Sequence, residues 1–135
     1  MTSKAYLAKC EYCPLATEPF VPGYGPDNPD AIVVGEAPGS EEVREGKPFV
    51  GPSGKLLDAI VSNLQRDPAG IYRTNVVLCR PPHNREPTDL EISYCHPRLE
   101  YELFQFPATT PIIGLGKVAN HTLNPRFEPE QRGIW

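Results

Sequence analysis

No apolar run in this chain of 135 residues approaches the ~20 needed to cross a bilayer. The opening residues, "MTSKAYLAKCEYC", lack the apolar core of a secretory leader. A basic excess is missing too: 13 Lys and Arg stand against 17 Asp and Glu, for a net charge of −4. That balance excludes a global positive field for non-specific capture of nucleic acid, although an acidic chain can still carry a local basic cleft. Repeats and low-complexity tracts are absent, so nothing points to a solenoid or an array. Cysteine is scarce, with four residues. The chain reads as cytoplasmic, with no membrane partner. Thiols stay reduced in that compartment, so four of them suggest a metal more than disulfides.

What is present fits one small domain over residues 1–135, with 39% apolar and 22% charged residues. Seventeen prolines and 11 glycines punctuate it, which favours a loop-rich fold over a long helical bundle. "AIVVG" is a short, fully apolar strand ended by Gly35. A loop over 35–51 follows, and then Leu56, Leu57, Ile60, Val61 and Leu64 recur with helical spacing behind Pro52 and Ser53. "IYRTNVVL" is a second strand, running into the loop "CRPPHNREP". Thr88 and Glu91 form a capping box in sequence, opening a helix that carries Leu99, Leu103 and Phe106 and that Pro97 is expected to bend. "TTPIIGLG" is a third strand and "GKVANHTLN" a third helix, closed by Asn124 and Pro125. Strand–helix alternation of this kind predicts parallel strands joined by right-handed crossovers: an α/β fold in three α/β/α layers around a mainly parallel central sheet. In such folds ligands bind beyond the strand C-termini, so the 35–51 and 79–87 loops should open onto one sheet edge.

Two features carry chemistry. Cys10, Cys13, Cys79 and Cys95 follow the pattern C-x2-C…C-x15-C. The first pair can present two thiolates from one turn, and the other two are positioned to converge at a strand end and on the next helix. Four thiolates suit tetrahedral zinc or an iron–sulfur cluster, whereas isolated buried cysteines would behave as small apolar residues. The second feature is Ile32–Leu57, "IVVGEAPGSEEVREGKPFVGPSGKLL", which sets a carboxylate and a lone phenylalanine among glycines between a strand and a helix. Packing alone rarely requires that.

Together with "CEYCPL", "YRTNVVLCRPPHNREPTDLEISYCHPRLEYEL" and "PIIGLGKVA", that segment resembles the iron–sulfur branch, family 4, of the uracil-DNA glycosylase superfamily. The matching stretches cover most of residues 10–119 in order. The resemblance implies a four-iron, four-sulfur cluster on Cys10, Cys13, Cys79 and Cys95, and a uracil pocket in the 35–51 loop. It implies release of uracil from single- or double-stranded DNA as the activity. In that pocket Phe49 would stack on the base, and Asn75 would offer an amide matching the O4 and N3–H edge of uracil but not the reversed edge of cytosine. Glu36 would be the catalytic carboxylate that orients water and favours the sugar cation. Gly35 and Ala37 would meet the base through backbone N–H groups, and Glu42 would limit room near the base C5. Glu41 and Glu45 read as solvated charges. Arg80, His83 and Arg85 read equally as phosphate contacts or as a solvated loop, His96 as a packing residue and His121 as a surface residue.

Members of that branch continue past "RG-x-W" into a His-Pro-Ser/Ala motif, whereas this sequence ends at "QRGIW". The resemblance therefore implies slower uracil release. It also implies an open strand edge near Ile134 and Trp135, covered by self-association or by a replication or repair protein. A binding or accessory role without turnover stands as the alternative reading.

Overall fold

A computed structural model describes residues 3–124. Its centre is β1 (Ala31–Gly35), paired in parallel with β2 (Ile71–Asn75) on one side and with β3 (Ile112–Gly114) on the other. The register sets Val33 opposite both Arg73 and Ile113. Alternation along β1 divides the core in two, because successive strand side chains face opposite sides. Val33 packs with Ile71 and with Val61 of α2 (Pro52–Asn63), with Leu57 and Phe49 beside them. Ile32 and Val34 face the other way, onto Leu99 of α3 (Asp89–Phe104) and Val118 and Ala119 of α4 (Lys117–Leu123). The sheet is thus covered by helices on both faces. Each fully buried aliphatic side chain of these layers contributes about 1.5–3 kcal/mol relative to exposure.

The helix starts follow from local chemistry. Pro52 occupies the first turn of α2, where its missing N–H costs nothing. At α3 the Thr88 hydroxyl accepts from Glu91 N at 3.2 Å and Glu91 Oε1 accepts from Thr88 N at 2.9 Å, the reciprocal pair that the sequence spacing announced. The helix then runs on through Pro97.

Several boundaries differ from the sequence expectation. The acidic stretch after Gly39 is not all loop, since Ser40–Glu45 forms a short helix, α1, closed by Gly46 in the left-handed region. A helix of so few residues has too few positions for periodicity to reveal it. The second strand stops at Asn75 rather than continuing to Leu78. The N–H groups of Val76 and Val77 bond to the carbonyls of Gly35 and Glu36, and the chain then runs beside residues 19–21. The apolar stripe of α2 also splits. Val61 is buried, while Leu56, Ile60 and Leu64 are exposed. Ile134 and Trp135, where an open edge was expected, lie outside the described residues.

Candidate functional site

Parallel strands that end together present their last residues and following loops along one edge. Here Gly35, Glu36 and Ala37 at the end of β1, Asn75 at the end of β2, and Leu115 and Gly116 after β3 line a single open cleft of about 580 Å³. Phe49 and Glu42 complete its wall, and the exposed Leu56 and Ile60 of α2 form its apolar rim. All six pocket residues expected from the sequence are therefore brought together.

Gly35 measures how closely they converge. A methyl placed on it would sit 2.5 Å from Phe49 Cζ and 2.6 Å from Asn75 Oδ1, so ring and amide approach the same backbone carbon. Only glycine leaves that space open. Phe49 itself adopts φ +57°, a left-handed conformation that costs a non-glycine residue about 1–2 kcal/mol. Its carbonyl rests against Gly54 in the first turn of α2, where any side chain would collide with it. The conformation is held from the other side by Glu42. Oε2 accepts from Val50 N at 3.0 Å and Gly51 N at 2.8 Å, and Oε1 accepts from Gly39 N at 3.0 Å. Burial pushes the Glu42 carboxyl up, but the N–H donors of Gly51, Gly39 and Val50 together outweigh it and hold the group below the usual carboxylate range. Glu42 lines the cleft, yet both its oxygens are committed to the loop that carries Phe49.

Glu36 is different. It is half-buried at the strand end, and burial raises its carboxyl. The nearby Glu86 carboxylate adds to the rise, and Lys117 at the start of α4 opposes it. A carboxylate in this position can orient a water molecule and stabilise positive charge developing in front of it.

A second site lies on the α3 side of the sheet. Cys10 and Cys13, from the short 3-10 turn Cys10–Tyr12 and its exit, line one small cavity with Cys79 and Cys95. Cys79 is placed there by its bridge to Phe20, and Cys95 by α3. Three of the sulfurs accept N–H donors: Cys10 from Lys4 N at 3.3 Å, Cys13 from Leu15 N at 3.4 Å, and Cys79 from Lys4 Nζ at 3.4 Å. Burial raises the Cys13 and Cys79 thiols, and for Cys79 the Lys4 ammonium works against that rise. Among the described residues, no three His, Cys, Asp or Glu side chains meet as the ligands of one metal ion would. Four soft donors line one cavity, with N–H groups aimed at three of the sulfurs, a donor set suited to thiolate–metal bonding.

The loop between the two sites is less free than its sequence suggested. Arg85 donates from Nη1 and Nη2 to the two Glu91 oxygens, each at 2.8 Å, so its fork is spent on a carboxylate that is 1% exposed. Arg80 Nε donates to Asn84 Oδ1 at 2.8 Å. His83 is exposed and outside both cavities, and His96 lies 3.6 Å from Glu100. His121 is exposed near Lys117. Sequence reasoning took Glu91 only as a helix cap and missed Lys4 and Arg98 altogether. For Lys4 the sequence carries no signal. For Arg98 its spacing from Glu102 marked a helical ion pair, but not its burial.

The family model for the Uracil DNA glycosylase superfamily matches residues 22–134. Among curated proteins, the Type-4 uracil-DNA glycosylase of Archaeoglobus fulgidus is 37% identical over 92% of this chain and 63% of its own length. The protein of the same description from Saccharolobus solfataricus is 42% identical over 95% of this chain and 60% of its own. For that of Sulfurisphaera tokodaii the values are 44%, 70% and 43%. The chain thus spans less than two thirds of the length of these relatives.

Proposed function

The chain belongs to the uracil-DNA glycosylase superfamily, and we propose accordingly that it recognises uracil in DNA and hydrolyses the bond between the base and its sugar. The observation that carries this reading is the convergence of the Phe49 ring and the Asn75 amide over Gly35, in a cleft whose floor also bears Glu36. A base entering the cleft must first leave the DNA stack, and an aromatic face with a hydrogen-bonding edge repays that unstacking. Phe49 stacks on the ring, and Asn75 reads O4 and N3–H. An amide in that orientation leaves cytosine mismatched, which by analogy with other bidentate readouts is worth about 1–3 kcal/mol. Gly35 and Ala37 bring backbone N–H groups to the base.

In the reaction the C1′–N1 bond breaks with its electron pair leaving on uracil. Water adds to C1′, and its proton passes to the Glu36 carboxylate, giving free uracil and an abasic sugar. Glu36 acts in its ionised form, both by orienting the water and by favouring the cationic sugar. Glu42 acts on this site through the Phe49 loop rather than by touching the base.

Cys10, Cys13, Cys79 and Cys95 hold a four-iron, four-sulfur cluster in this reading. When bound it would supply a covalent tie between the N-terminal segment, the segment after β2 and α3. Its part is structural, and the chemistry in the cleft proceeds without it.

The test is incubation of the chain with uracil-containing single-stranded DNA, followed by alkali to cleave abasic sites. Strand scission only at uracil is expected, with loss on Phe49→Ala or Asn75→Ala. Equal affinity for uracil-containing and ordinary DNA, with no scission, overturns the proposal. Selective binding of uracil without scission would favour the accessory role instead.

A further inference from the structure

Arg98 sits within α3 with its side chain 3% exposed, and its guanidinium points at the end of β2. Nη2 donates to the carbonyl of Asn75 at 2.9 Å and to that of Val76 at 2.6 Å. Nη1 donates to Thr74 Oγ1 at 3.4 Å and pairs with Glu102 one helical turn onward. One fork therefore grips three successive residues, the middle one being the amide side chain of the cleft. We propose that Arg98 is a positioning residue for base discrimination: it sets the backbone orientation from which Asn75 presents its amide. The inference rests on the uracil reading above and adds a determinant that lies outside the cleft.

Beyond Asn75 the N–H groups of Val76 and Val77 turn back to the carbonyls of Gly35 and Glu36, so this backbone leaves the regular ladder inside the core. The carbonyls of Asn75 and Val76 need other donors, because a buried carbonyl without a partner is costly. Arg98 supplies both from one planar group, which restrains the peptide between them against rotation. That rotation would swing the Asn75 side chain, and a bidentate readout tolerates little swing. Arg98 Nε is meanwhile buried without a partner among the described residues. The side chain is thus aligned to the two carbonyls at the expense of its own third donor.

A purely structural anchor would act differently. Tyr72 donates to Glu102 Oε2 at 2.6 Å and Thr74 Oγ1 donates to Oε1 at 3.1 Å, so the same network also braces the middle of β2. Removing the Tyr72 hydroxyl weakens that brace but leaves the contacts to Asn75 and Val76 in place. Lysine at position 98 keeps the charge beside Glu102 but lacks the planar fork.

The experiment measures the affinity of the full chain for a single-stranded oligonucleotide carrying one uracil and for its cytosine counterpart, with thermal melting in parallel. Wild type, Arg98→Lys, Tyr72→Phe and the double variant Arg98→Gln with Glu102→Gln are compared. The double variant removes the fork without stranding a buried charge. The uracil-to-cytosine affinity ratio is expected to fall about tenfold in Arg98→Lys and in the double variant, the scale of a lost bidentate contact. It should hold in Tyr72→Phe even if melting drops. An unchanged ratio in both Arg98 variants, an equal fall in Tyr72→Phe, or failure of both Arg98 variants to fold overturns the positioning role. A wild-type chain with no preference for uracil would overturn the uracil reading itself, and this inference with it.

Discussion

Replacing Glu42 with alanine tests whether this carboxylate belongs to the substrate or to the loop. Three backbone N–H groups, those of Gly39, Val50 and Gly51, lose their acceptor at once. Isolated hydrogen bonds to a charged acceptor contribute about 1.5–3 kcal/mol each. Here three donors share two oxygens on a partly exposed side chain, and water can replace part of what is lost. About 1 kcal/mol apiece is then reasonable, or about 3 kcal/mol in all. For a domain of this size that lowers the melting temperature by roughly 10 °C. The same loss frees the loop holding Phe49 at φ +57°, so uracil affinity should fall although the ring is untouched.

The folded-state Glu42 carboxyl lies below its ordinary value, so its contribution is complete above the unfolded value of about 4.3. It is lost as pH falls through the lower folded value. The difference in stability between wild type and Glu42→Ala, followed by urea unfolding, should therefore be full at pH 7 and shrink as pH falls through the folded-state value. Glutamine retains one acceptor but turns its NH2 toward a backbone donor, so Glu42→Gln should recover less than half. A difference within about 0.5 kcal/mol at pH 7, no more than an ordinary surface substitution shows, would refute the brace. So would a difference that persists unchanged in acid.

Gly35→Ala should place a methyl against the Phe49 ring and the Asn75 amide, lowering affinity for uracil-containing DNA more than tenfold and for ordinary DNA hardly at all, as competition binding would register. Glu36→Gln should slow uracil release by roughly 10²–10³. Because burial and then Glu86 raise the Glu36 carboxyl and its ionised form acts, wild-type activity should rise with pH through a value above the ordinary carboxylate range, a limb that the glutamine variant lacks in its pH–rate profile. Arg85→Ala leaves the buried Glu91 carboxylate without its fork and should lower the melting temperature at neutral pH. Pairing with Arg85 is the main cause of the lowered Glu91 carboxyl, so that loss should fade as unfolding is repeated at lower pH through the folded-state value. Anaerobically purified protein should be brown with about four irons per chain, and each Cys→Ala variant should lose colour and melt earlier; stoichiometric zinc without iron would contradict this.

Much of this molecule is local chemistry and was open to sequence reasoning. Thr88 and Glu91 lie one helical turn apart, so their reciprocal cap follows from spacing alone. The apolar run at β1 and the proline ahead of α2 mark their elements within a few residues. Parallel strands joined by crossovers necessarily end on one edge, and the pocket that the family resemblance implied around Gly35, Glu36 and Asn75 has its residues together there. The glycines around Phe49 announced a close approach, though not that Gly35 and Gly54 each leave room for a part of that residue.

What the tertiary structure decided is where each charge finds its partner. Glu42 and Glu41 are neighbours in one acidic run, yet it is Glu42 that accepts the N–H groups of the Val50–Gly51 turn. Arg80 and Arg85 looked alike in one loop until Arg85 met a carboxylate buried by the docking of α3. Leu56 and Val61 satisfy the same helical period, but only the face of α2 turned to Val33 and Ile71 is covered. Arg98 was one charge among several on α3, and the packing of that helix against β2 carried it into the core. Periodicity records which residues share a face. Only the packing of that face against another element, set by long-range crossovers, determines whether a side chain meets water, backbone or a counter-charge.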